Sequence, residues 1–158
     1  MAQNGDVTTP EARLTELGIT LPEVRSPAGA YVPAVRTGNL VFLSGAGPIG
    51  DGEMVTGKVG TDVDLDRAVY AARLVGLQLL AALRQEVGSL DRVVRIVKLL
   101  GMVNCAPGFN NTPAVINGCS ELLLDVFGDA GKHARSAVGQ AELPFDISVE
   151  IELIAEVQ

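Results

Sequence analysis

From Ile147 to Val157 the chain keeps a strict period of two. Ile147, Val149, Ile151, Leu153, Ala155 and Val157 alternate with Ser148, Glu150, Glu152, Ile154 and Glu156. Successive side chains of a strand point to opposite faces, so this segment reads as a β-strand with one dry face and one largely polar one. Such a strand needs neighbours to take up its backbone hydrogen bonds and an apolar layer to cover its dry side. Ala134 to Gln140 is the expected neighbour, reached through a turn at Leu143-Pro144.

Upstream, the period changes to that of a helix. Leu65, Ala68, Ala72, Val75, Leu79 and Leu83 recur every three or four residues from Asp64 onward, and Gly88 ends the run. A second apolar stripe, Val115, Ile116, Cys119, Leu122, Leu123, Val126 and Phe127, follows Thr112-Pro113, read as a cap plus a first-turn proline, and closes at Gly128. Between the two, Val93 to Val103 is a β-branched-rich strand, apolar enough to be central. Tyr31 to Val35 and Leu40 to Ser44 read as strands separated by Thr37-Gly38-Asn39, and Asp51-Gly52 marks a further turn. Thr9-Pro10-Glu11 and Gly18 frame a short leading helix. The order is strand, strand, helix, strand, helix, strand, strand, an α+β pattern. Two helices can cover one face of such a sheet and leave the other to find a partner, so an oligomer is expected. No linker, repeat or low-complexity tract divides residues 1–158, which read as one domain with residues 1–28 as an N-terminal extension.

Composition removes several function classes. With 12 Lys+Arg against 19 Asp+Glu the formal net charge is −7, and there is no basic run to displace counterions from phosphates, so no nucleic-acid partner is expected. Aromatic residues make up only 4%, which leaves the core to Leu, Val, Ile and Ala. The first residues have neither a basic start nor an apolar core and do not read as a signal peptide, and no apolar run approaches the ~18 residues of a membrane span. Cys105 and Cys119 read as reduced thiols of a cytoplasmic protein. One histidine, His133, and no Cys/His cluster give no expectation of a metal.

Two motifs look like nucleotide sites without being so. Gly45-Ala46-Gly47-Pro48-Ile49-Gly50 has the spacing of a dinucleotide fingerprint, but Pro48 and Asp51-Gly52 continue a loop where a helix must begin. Gly52 to Val59 nearly matches a phosphate-binding loop, yet Val59 stands where Ser or Thr would hold magnesium, and Lys58 reads as a solvated charge. Both are read as glycine-rich hairpins. Cys119 sits on its helix's apolar stripe as a small core residue. His133 reads as a polar residue packing at the start of a strand.

Arg135 stands among Ala134, Ser136, Ala137 and Gly139, placed by strand geometry on or near the open sheet face. A guanidinium with small neighbours has room for a ligand, and its fork suits a carboxylate. Glu150, on the polar side of the last strand, could be its antiparallel neighbour, so an Arg–Glu ion pair and a carboxylate site are both open from spacing.

The run Ala134-Arg135-Ser136, then Leu143-Pro144, then Val149-Glu150-Ile151-Glu152-Leu153-Ile154-Ala155 resembles the C-terminal signature of the RidA/YjgF family, the enamine/imine deaminases once labelled endoribonuclease L-PSP. The likeness spans roughly residues 29 to 157 by order of elements and includes Gly29-Ala30-Tyr31-Val32 and Leu43-Ser44-Gly45. It implies a chorismate-mutase-like fold of the bacillus type and a homotrimer with pockets between subunits. It also implies hydrolysis of reactive imines of amino acids to 2-oxo acids and ammonia, with no cofactor. Arg135 matches the arginine that grips the substrate carboxylate, and Glu150 the acid that positions and polarises water. Tyr31, Ser44 and Asn117 match pocket-lining positions. Ala137 stands where the family's deaminases usually carry cysteine, and the substrate is expected to use the backbone N–H there. Gly45-Ala46-Gly47-Pro48 and the loop Asn104 to Asn111 also depart from the pattern, as in a divergent branch. A non-catalytic module that binds or senses a small carboxylate, such as a 2-oxo acid, is the alternative.

Overall fold

The structure, a computed structural model, describes residues 8–158; the start of the segment read as lacking a signal peptide lies outside the described residues. The elements appear in the expected order. Helix α1 covers Pro10–Glu16, β1 Ala34–Thr37, β2 Leu40–Ala46, β3 Ile49–Gly50 and β4 Glu53–Met54. Helix α2 covers Leu65–Val87, β5 Val93–Asn104, α3 Thr112–Phe127, β6 Ala134–Gln140 and β7 Val149–Val157.

Local chemistry sets most of these limits. Asp64 caps α2 by accepting from the Arg67 N–H at 2.8 Å, and Gly88 ends it at φ 88, where a side chain would be strained. Of the expected stripe on α2, Leu65 alone stands exposed, because it lies in the first turn beyond the edge of the core. Asp51 and Gly52, both at positive φ, form the β3–β4 turn, as a tight hairpin requires. The cap of α3 is Asn111 and not Thr112. Thr112 is the first helical residue, and its hydroxyl donates to the Ala137 carbonyl at 2.9 Å, tying α3 to β6. Strand β1 begins at Ala34, three residues later than expected. Tyr31 turns back on Gly29 (Tyr31 N–H to Gly29 O, 3.0 Å), and Pro33, which has no N–H to give a ladder, marks the entry.

The five-stranded sheet has the order β1-β2-β7-β5-β6. β7 lies between β2 and β5, antiparallel to both, which agrees with its dry, regular alternation. β5 is central as expected. β6, however, pairs in parallel with β5 and never touches β7. The reason is the β5–α3–β6 crossover: a helix between two strands returns the chain in the same direction, so β6 lies beside β5. The segment 141–148 then crosses the end of β5 to reach β7.

Helices α2 and α3 cover one face. Their approach depends on Gly118, where an added Cβ would lie 2.0 Å from the Val69 carbonyl oxygen, and on Gly101, whose Cβ would lie 2.5 Å from Ile116. One continuous core results, with Leu79, Leu83, Ile96, Leu99, Leu122 and Ile151 fully buried. Each such residue contributes about 2 kcal/mol relative to exposure. α1 docks against this layer through buried Leu14, the Glu11 carboxylate that accepts from Leu90 N–H (2.9 Å), and Arg13, whose Nε donates to Asp125 O (2.9 Å).

Among the described residues, the other sheet face has no helix over it. Register places Val35, Phe42 and Ile154 in one row across β1, β2 and β7, and Val35 and Phe42 are 54% and 41% exposed.

Candidate active site

Strands β2 and β7 slip by one residue between Leu43 and Ala46, a β-bulge that carries Ser44 and Gly45. Ser44 is held in place on both sides: its N–H donates to Pro33 O at 2.9 Å and its hydroxyl to Val32 O at 2.7 Å. Gly45 lies under the Glu150 side chain, and a Cβ there would be 2.2 Å from Glu150 Oε1. The missing side chain is the space the carboxyl occupies.

Glu150, Ser44 and Tyr31 share the wall of a cavity of about 330 Å³. Its remaining walls are mostly apolar and include Val24, Ile49, Met54, Leu79, Ala82 and Phe145. Burial raises the Glu150 carboxyl above its ordinary value, and the charge of Glu152 adds to the rise. Phe145 is 76% exposed and, like Asp146, adopts φ 56. This non-glycine backbone is held by Asp146, whose carbonyl accepts from Gly57 N–H (2.8 Å) and whose Oδ1 accepts from Asn104 Nδ2 (3.0 Å).

Arg135 belongs to a different place. Its register partner is Leu99, which pairs in turn with Leu153, and both are buried under the helices. Arg135 therefore lies on the helix-covered face and Glu150 on the open one, which corrects the expectation of an antiparallel pair on one face. Two strand spacings and three residues of offset put them roughly 14 Å apart at the backbone. Among the described residues no acid pairs with Arg135. It donates instead to neutral oxygens of α3, Ser120 Oγ at 3.1 Å and Pro113 O at 3.2 Å. A guanidinium has five N–H donors, so donors remain for an anion. Asn117 lies exposed on the same side of α3, between Pro113 and Ser120 by helical spacing, and Ala137 lies two residues beyond Arg135 on its face of β6. The six expected site residues thus fall into two groups: Tyr31, Ser44 and Glu150 at the cavity, Asn117, Arg135 and Ala137 at the β6 edge. One chain does not bring them together.

Sequence reasoning missed the support behind Arg135. His133 Nδ1 lies 2.6 Å from Gly131 O, an oxygen that can only accept, so Nδ1 carries the proton. In the neutral ring Nε2, 3.0 Å from Ser120 Oγ, then accepts from the hydroxyl, whose lone pairs face Arg135. The directed chain runs from Arg135 to Ser120 to His133 to Gly131. Only the proximity of His133 to Arg135 in sequence hinted at it. Lys58, expected as a solvated charge, is tied down: its Nζ donates to Asn104 Oδ1 at 2.9 Å, to the Ala141 carbonyl and to Glu142. Cys119 is fully buried, and burial pushes its thiol up to about 12, so it packs and does not react at neutral pH. Among the described residues no group of three or more His, Cys, Asp and Glu could hold a metal ion, and no helix is long and apolar enough to cross a membrane.

A mixed five-stranded sheet with two helices on one face defines an α+β protein of the chorismate-mutase-like class. A family model described as "YjgF/chorismate_mutase-like, putative endoribonuclease" matches residues 11–157. The chain is 42% identical over 147 residues to Protein TCP17 of Trypanosoma cruzi, covering 92% of each chain. It is 30% identical over 142 residues to a 2-iminobutanoate/2-iminopropanoate deaminase of Dermatophagoides farinae, covering 89% of this chain and 95% of that one. Among solved structures, the protein Atu1372 of Agrobacterium tumefaciens, whose function is described as unknown, superposes with a TM-score of 0.87 at 44% identity, covering 94% of this chain and 92% of that one. The chain belongs to the RidA/YjgF family. The match begins inside α1, so part of the segment read as an extension falls within the family's span.

Proposed function

We propose that the protein hydrolyses reactive enamine/imine intermediates derived from amino acids to 2-oxo acids and ammonia. The sites lie between subunits of a homotrimer, where the Arg135 edge of one copy meets the Glu150 cavity of the next. The observation that carries the reading is Arg135, a guanidinium with no acidic partner among the described residues, fixed in direction by Ser120 and Pro113. A free fork of that kind suits the carboxylate of an imino acid. The deaminase relative from Dermatophagoides farinae supports the reaction class.

In the reaction, Arg135 holds the carboxylate and leaves the C=N carbon open to water. Glu150, as carboxylate, takes a proton from that water as its oxygen bonds to the carbon and the C=N π electrons pass to nitrogen. Glu150 then returns the proton to nitrogen, giving a carbinolamine. It next takes the hydroxyl proton and delivers it to the amino group, so that the C–N electrons leave with nitrogen as ammonia and the oxygen forms C=O. A carboxyl raised by burial suits both proton steps better than one left at its ordinary value. Asn117, Tyr31, Ser44 and the Ala137 backbone shape the walls of the joined pocket.

The test is release of 2-oxo acid and ammonia from 2-iminopropionate generated in place, expected in the wild type and lost in Arg135→Ala. No turnover of any imino acid, together with calorimetric binding of pyruvate or 2-oxobutyrate, would establish the non-catalytic carboxylate-binding module instead. The older nuclease description is disfavoured by the acidic balance of 19 Asp+Glu over 12 Lys+Arg.

A further inference from the structure

Resting on that reading, we infer that the cavity beside Glu150 receives the substrate's side chain, and that the preferred substrates are 2-imino acids with bulky apolar side chains, of the leucine, methionine or phenylalanine type. With the carboxylate on Arg135 and the C=N carbon beside Glu150, an alanine-derived imine offers the cavity a single methyl group. The space is about 330 Å³. That volume lies at the lower end of pockets that enclose whole organic ligands, and it is far more than a methyl group fills.

The walls state the chemistry. Val24 comes from the segment before β1, Ile49 from β3, Met54 from β4, and Leu79 and Ala82 from α2. Four separate parts of the fold therefore converge apolar atoms on one space. Such a space, left empty or wet, forgoes the dispersion contacts that a hydrocarbon side chain restores. Gln78 is spoken for, its Nε2 donating to Ile49 O at 3.0 Å. Arg25, also on the wall, is exposed and keeps its charge in water. The polar groups that remain on the wall, Ser26, the Tyr31 hydroxyl and Glu150, lie beside the apolar set of Ile49, Met54, Leu79 and Ala82.

The wild type decides the matter first. 2-Imino acids would be generated in place from alanine, leucine, phenylalanine and glutamate by an amino-acid oxidase, and 2-oxo acid release followed for each. Expected is a kcat/KM for the leucine-derived imine at least about tenfold above the alanine-derived one, since each buried methylene discriminates about tenfold or more. Ala82→Leu, which fills the cavity from α2, is expected to lower kcat/KM for the leucine-derived imine at least about tenfold more than for the alanine-derived one, and so to abolish that preference. Equal or better turnover of the alanine-derived imine by the wild type would overturn the inference. So would a preference for the glutamate-derived imine that disappears in Arg25→Ala. Should no imine be turned over, the hydrolase reading fails by itself. The cavity inference is then judged by calorimetry, and it falls if 4-methyl-2-oxopentanoate binds no tighter than pyruvate.

Discussion

A carboxyl whose folded pKa exceeds its unfolded one is protonated more readily in the folded protein, and Glu150 is in that position through burial and the neighbouring Glu152. The folded state then binds more protons than the unfolded chain as pH passes through the two values. Stability from this group is present below its ordinary pKa and is lost as pH rises through the folded one. Glu150→Gln is therefore expected to melt above the wild type at pH 7, with the gain shrinking toward pH 4, as thermal unfolding at a series of pH values would show. The same variant is expected to lose turnover and keep carboxylate binding. An equal melting temperature at both ends of the series would mean that the site does not strain its acid. Behind Arg135, Ser120→Ala removes one acceptor from a charged donor, an interaction of about 1.5 kcal/mol or more. The expected result is roughly tenfold weaker binding of a 2-oxo acid in calorimetry with an unchanged fold. Of the two proposed ends of this apparatus, Arg135 stood out in the sequence because it is alone among small residues, whereas Glu150 fits the polar side of its strand's alternation and was singled out by position and family resemblance. The Ser120–His133 support was not legible, because its two residues meet only once α3 packs across the entry to β6.

Elements were legible where one local rule governed them. The alternation of β7, the stripes of α2 and α3, the glycine stops and the Asp51-Gly52 turn all follow from neighbours a few residues apart. The position of β6 does not. Reading β6 and β7 as hairpin partners follows their closeness in sequence, but α3, a helix between β5 and β6, commits β6 to the far side of β5. That single topological fact moved Arg135 to the helix-covered face and separated it from Glu150. The contact that holds α3 in this arrangement is its approach to α2 at Gly118. A Cβ there would meet backbone, 2.0 Å from Val69 O, so no side-chain rotation relieves it. Gly118→Ala is expected to cost about 3 kcal/mol in urea unfolding, with α3 displaced. Gly45→Ala makes a useful contrast. Its clash is with the flexible end of Glu150, so the expected loss is in turnover, with the denaturation midpoint nearly kept.

At the scale of the whole molecule, the proposed self-association would join the two groups of proposed site residues and cover the sheet face that carries no helix among the described residues. Val35, Phe42 and Ile154 form an apolar row on the face opposite the helices, and Glu150 looks out from that same face. A neighbour seated there would bury the row and could carry its own Arg135 edge to the cavity. Phe42→Glu is expected to shift the protein toward monomer in sedimentation equilibrium and to remove activity, although Phe42 is not among the proposed site residues. A mixing experiment separates sharing between copies from sharing within one. Arg135→Ala and Glu150→Gln are each expected to be inactive alone. If every site joins Arg135 of one subunit to Glu150 of the next, random reassembly of the two variants in equal amounts leaves about a quarter of the sites with both residues intact. Activity should then return to about a quarter of the wild-type value after the variants are unfolded and refolded together. If both residues served the same chain's site, no mixture could contain an intact one, and the refolded mixture would stay as inactive as its components.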